Sequence, residues 1–149
     1  MSVNTTFNDD EIIRKKKRFL KRYRKNQELI ERLESKVDDY DDRLTKMRTA
    51  KFSDMPRGGA PGTTVEDLLD KKKETKERID KLKIKGKIFR REILSKIDDL
   101  DSARHADILE AFCIDCMSFN DIAEEKGYSE RHVIALYSEA IKRIDISLE

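Results

Sequence analysis

The chain has 149 residues, 43% of them charged and 37% apolar, with a formal net charge of +2 that hides blocks of opposite sign. So polar a composition excludes a globule built on one large core and leaves disorder or long helices with a narrow apolar seam. Two cysteines fit a reducing cytoplasm. No stretch reads as a signal peptide, and the most apolar window, 108–119, is broken by Glu110 and Asp115, so a soluble intracellular protein is expected.

Residues 8–50 open the chain with a seam. Ile12, Phe19, Tyr23, Asn26, Ile30, Leu33, Val37, Tyr40, Leu44 and Met47 recur at spacings of three and four, with Lys16 filling one gap. No Gly or Pro interrupts them, and Asn8 or Asp9 is the expected N-cap. The spacing predicts a coiled-coil helix of about 60 Å at 1.5 Å per residue.

The same segment carries nine Lys or Arg and no acid between 14 and 25. Two readings stand open. Lys15, Lys17, Arg18, Lys21, Arg22 and Lys25 are candidates for non-specific phosphate contact, with counterion release driving affinity. The bland reading is a solvated helix face, partly matched by Asp98, Asp99 and Asp101.

Residues 51–63 hold both prolines and three of the five glycines, which predicts a loop. Helix resumes at Thr64 as N-cap, with Asp67 completing a capping box. A second seam follows: Val65, Leu68, Lys72, Thr75, Ile79, Leu82, Gly86, Phe89, Ile93 and Ile97, ending near Leu100. Folding about residue 57 brings the acidic 28–42 opposite the basic 72–86, so an antiparallel hairpin over 8–100 is expected.

From 101 to 149 the pattern changes to short helices. Ile108, Leu109, Phe112 and Cys116 are expected on one face of a supporting helix. A helix, a turn at Gly127 and a second helix capped by Ser129 then follow. Ile122, Ala123, Val133 and Leu136 fall where the two must touch, and Tyr137, Ala140, Ile141 and Ile144 extend the last face. This is the pattern of a helix-turn-helix DNA-binding domain, too small to be stable without docking onto the hairpin or a dimer partner.

The second of these helices presents the candidate DNA-binding residues Ser129, Glu130, Arg131, His132, Ile134, Ala135 and Ser138. Arg131 suits guanine O6 and N7. Glu130 suits either the cytosine amino group or the helix N-terminus. Lys142 and Arg143 suit phosphates. Cys113 and Cys116 form a lone C-x-x-C with too few histidines for zinc, so they read as small apolar residues and no metal site is expected. No nucleophile–base pair or phosphate-binding loop is apparent. The expectation is a non-enzyme without cofactor.

The hairpin, the loop Ser53-Asp54-Met55-Pro56-Arg57-Gly58-Gly59 and the stretch Ser118-Phe119-Asn120-Asp121-Ile122-Ala123…Gly127-Tyr128-Ser129-Glu130-Arg131 resemble the ArpU/RinA-type transcriptional regulators of phages and prophages in Gram-positive bacteria. Their C-terminal part is similar to region four of bacterial sigma factors. The resemblance implies control of phage genes, often late ones, in a bacterial host cell. It further implies double-stranded DNA and RNA polymerase as partners, and a homo-oligomer is expected. Two other readings compete: a coiled-coil protein-interaction adaptor on RNA polymerase that does not read bases, and a structural protein that holds DNA without specificity.

Overall fold

The computed structural model describes the backbone of residues 2–50 and 64–147, and the side chains of 8–49 and 64–147. The loop expected at 51–63, with the Ser53–Gly59 motif, lies outside the described residues. Five helices follow in order: α1 (Ser2–Ala50), α2 (Val65–Asp98), α3 (Ala103–Cys113), α4 (Phe119–Lys126) and α5 (Glu130–Arg143). The protein is all-α, with α1 and α2 forming a long antiparallel pair that precedes a small three-helix unit, α3–α5. Among the described residues no helix is long and apolar enough to cross a membrane.

Packing divides the chain into two compact units. The first is Gln27–Lys85. Its core is a thin line in which Ile30, Leu33, Val37 and Ile79 cluster, with Leu29 and Leu82 packed against them. Leu44, Leu68 and Thr75 are also buried, and the Thr75 hydroxyl satisfies itself by donating to the Lys71 carbonyl at 2.8 Å. Thr64 and Asp67 make the reciprocal capping box: the Asp67 N–H donates to Thr64 Oγ1 at 3.1 Å, and the Thr64 N–H donates to Asp67 Oδ2 at 3.3 Å. Lys72 meets Asp41 at 2.6 Å and Lys83 meets Glu34 at 4.0 Å, close to the register that the charge blocks predict.

The second unit joins Met1–Asn26 to Gly86–Glu149. Here the ends of both long helices supply Phe19, Leu20, Ile93 and Ile97 to one core with Ile108, Leu109, Phe112, Ile122, Val133, Leu136, Ile141 and Ile144. The three short helices therefore acquire the docking surface that a fifty-residue domain requires. The expected division at 100/101 follows chain order, whereas compact packing assigns the outer ends of α1 and α2 to the α3–α5 unit.

Three expectations need correction. The first helix does not start at Asn8 or Asp9: it begins at Ser2, and Asn8 and Asp9 are exposed residues within it. Ile12 is not in the seam but 48% exposed, and its neighbour Ile13 packs against the core instead. Cys116 is not on the supporting helix. That helix ends at Cys113, which is wholly buried, and Cys116 takes a φ of 58° in the following turn. Spacing alone does not fix where a helix stops.

Candidate nucleic-acid interface

Each short helix begins on a serine. Ser102, Ser118 and Ser129 accept from the N–H groups of His105, Asp121 and His132 at 3.3, 3.1 and 3.1 Å. Gly127 closes α4 at φ 71°, a left-handed conformation that disfavours any side chain, and the Tyr128 N–H donates back to the Ala123 carbonyl at 2.9 Å. Only three residues then separate α4 from α5. Ile122, Ala123, Val133 and Leu136 are buried where the two helices meet.

Burying Val133, Leu136, Tyr137, Ala140 and Ile141 leaves the other side of α5 free. Arg131, Ala135, Ser138 and Lys142, at successive helical steps of four, three and four, share one exposed stripe. Ile134 lies beside it at 42% exposure. Glu130 and His132 are exposed at the N-terminal end, and the His132 ring stands edge-on to Tyr128 at 4.9 Å. Ser129 differs from the others: its hydroxyl is engaged as the helix cap. Lys142 and Arg143 are exposed at the far end. Facing outward on α4 are Asp121, Glu124 and Glu125, with Lys126 as their one cationic neighbour on that helix.

An aromatic stack joins the three short helices. Phe112 of α3 lies parallel to Phe119 of α4 at 4.6 Å, and both meet Tyr137 of α5 edge-on at 5.0 and 5.1 Å. Arg24 of α1 closes this stack. Its guanidinium lies 4.3 Å over the Phe112 ring, and Nη1 donates to the carbonyls of Phe112 and Met117 at 2.9 and 3.0 Å. It thereby caps the C-terminal end of α3 and the turn that leads into α4. His105 of α3 is buried and pairs through Nε2 with Glu139 of α5 at 3.1 Å. Burial among these groups pushes the Cys113 thiol up to about 12 and raises the Tyr137 hydroxyl likewise.

The basic stretch splits by role. Arg22 is structural: it pairs with Glu92 at 2.8 Å and lies over the rings of Phe19 and Phe89 at 4.3 and 4.7 Å. Lys16 donates to the Lys142 carbonyl at 3.0 Å and so caps α5 from α1. Lys15 stands 3.9 Å from Glu11, both well exposed, a separation that adds little. Arg14, Lys17, Arg18 and Lys25 point to solvent, and Lys21 is half-buried. The packing roles of Arg22 and Arg24 had no signal in the sequence, where both read as members of a charge run.

No protein family, characterised protein or solved structure matches the chain.

Proposed function

We propose that the protein is a sequence-specific DNA-binding transcriptional regulator in which α5 enters the major groove. The observation that carries this reading is the exposed stripe from Arg131 to Lys142 on a helix whose other side is held by α4 across a three-residue turn. From Arg131 to Ser138 the stripe covers about 10 Å at 1.5 Å per residue, comparable with a groove about 12 Å wide. Arg131 is the main base-reading residue, aimed at guanine O6 and N7. Glu130 and His132 flank it, and Ile134 and Ala135 offer apolar contact to thymine methyls. The ArpU/RinA-like motifs support phage or prophage genes as targets, with promoter DNA and RNA polymerase as partners.

Selection from a pool of random-sequence duplexes tests this proposal. A common site should emerge, and Arg131→Ala should weaken binding to it by about 1–3 kcal/mol and relax preference at one position. Failure of any sequence to enrich overturns the proposal.

One observation favours the adaptor reading: the exposed acids Asp121, Glu124 and Glu125 on α4 repel phosphate and suit a basic protein surface. Under that reading the pool yields no site.

A further inference from the structure

Resting on the DNA-binding reading, we infer that the end of α5 and the N-terminal part of α1 form one phosphate-binding surface, which holds the backbone of the duplex that α5 enters. The inference starts from a shortage. In a helix-turn-helix the first helix normally crosses the sugar–phosphate backbone, but α4 presents Asp121, Glu124 and Glu125. Cationic contacts must come from elsewhere in the same unit.

The length of α5 says where. From Arg131 to Lys142 is about 16 Å at 1.5 Å per residue, more than the roughly 12 Å width of a major groove. If Arg131 lies at base edges, Lys142 and Arg143 overhang the groove and arrive at a strand of phosphates. At that point α1 meets α5. The Lys16 ammonium bonds the Lys142 carbonyl at 3.0 Å, so one cationic head group lies at the backbone from which the Lys142 side chain starts. A surface groove there is lined by Lys15, Lys16, Arg143 and residues 144–147. An adjoining groove is lined by Lys16, Lys142, Asp9, Ile12 and Ile13. Lys96 reaches the same place from α2, donating to the Ser147 carbonyl at 2.5 Å.

Five acids temper the patch. Glu11 stands beside Lys15, Asp9 lines the second groove, Asp145 lines the first, and Asp99 and Asp101 line a further groove with Lys96 and Arg143. Asp145 stays ionised. Hydrogen bonds from the Ser147 hydroxyl and N–H hold its carboxyl below the ordinary range, and Lys96 and Lys16 add to this. Over the whole patch Lys15, Lys16, Lys96, Lys142 and Arg143 only balance these acids. A positive excess is confined to the two grooves where α1 meets the end of α5, in which Lys15, Lys16, Lys142 and Arg143 face Asp9, Glu11 and Asp145. A polyanion that runs past the end of α5 fits that excess.

The experiment measures binding to the selected duplex across a salt series. Lys15→Gln, Lys142→Gln and Arg143→Gln are combined, leaving Lys16 and the Lys142 carbonyl to hold the fold. Each phosphate contact contributes about −0.9 to the log–log slope on B-DNA, so the triple variant should lose about 2 to 3 from that slope. The preference for the selected site over random duplex should persist. A control removes three exposed cations from α2 in the same unit, Lys87→Gln, Arg90→Gln and Arg91→Gln, and should leave the slope near wild type. Circular dichroism verifies that both variants keep their helical content. An unchanged slope in a folded triple variant overturns the inference while the DNA-binding reading stands, and so does an equal loss in the control. If the wild-type chain selects no sequence, the reading and the inference fall together.

Discussion

The Gln27–Lys85 unit and the unit that joins Met1–Asn26 to Gly86–Glu149 use the same two helices in different ways. In the first, burial is a line one residue wide, and the faces beside it carry opposite charges that meet as Lys72–Asp41 and Lys83–Glu34. In the second, adjacent residues Phe19 and Leu20 are both buried, because α1 there has neighbours on more than one side. Among the described residues the larger core cluster has eighteen buried members and the seam cluster four, so the same substitution should not cost the same in both. A heptad seam sets pairing and register. A core with several layers sets stability.

The largest expected effect tests that contrast directly. Leu20 and Leu33 are both fully buried. Truncating a buried leucine to alanine costs about 2–5 kcal/mol, depending on how far the surroundings collapse into the cavity. Leu20→Ala should fall near the upper end, because its neighbours are held by several helices, and Leu33→Ala near the lower end, because a two-helix seam can close. Denaturant midpoints of the two variants measure the difference, and equal losses break the comparison.

Arg24 comes next. Arg24→Met keeps much of the stem packing but leaves the Phe112 and Met117 carbonyls without this donor, at a cost of about 1.5–3 kcal/mol for bonds to a charged group. Arg24→Lys should recover only part of it: an ammonium can donate to both carbonyls, as the single Nη1 does here, but it cannot lie flat on the Phe112 ring. Full recovery with lysine would reduce Arg24 to a point charge.

The closed core of the second unit also has a pH signature. The Cys113 thiol titrates near 12 when folded against an ordinary value of 9.0, because burial penalises the thiolate. A raised value means that the stability it contributes is whole below about pH 9 and is lost as pH rises towards 12, while the unfolded thiol ionises and the folded one does not. Tyr137 acts in the same direction at still higher pH. Chemical denaturation at pH 8 and pH 10.5 should show a fall in stability that Cys113→Ala reduces. A fall of the same size in Cys113→Ala would locate the effect elsewhere.

The smallest effect belongs to the seam. Asp41→Ala should cost about 0.2–1 kcal/mol through loss of the partly exposed Lys72 pair, and the cost should shrink in added salt. A larger, salt-independent loss would mean that the charges hold the segment together instead of orienting it.

The seams of both long helices were legible because burial there follows a local rule. Every seam position from Phe19 to Met47 and from Val65 to Ile97 is buried or half-buried, and Leu69, Ile84 and Ile88, outside the pattern, are exposed. The Thr64–Asp67 box, the Gly127 turn and the Ser129 cap were legible for the same reason: each involves residues a few positions apart, and the backbone itself sets their geometry. Of the candidate site, the exposed stripe of α5 was readable as the complement of its buried positions.

Where two neighbours were equally apolar or equally charged, the sequence had no means to choose. Ile12 and Ile13 differ by one step around a helix, and only the core beside them selects Ile13. Arg22, Arg24 and Lys16 are interchangeable in a charge run. Their partners Glu92, Phe112, Met117 and Lys142 lie far along the chain and come within reach only when the helices have packed. Periodicity is a property of one helix. A side chain that caps another helix's carbonyl is a property of two, so only the tertiary structure decided which cations of the run hold the fold and which stay exposed.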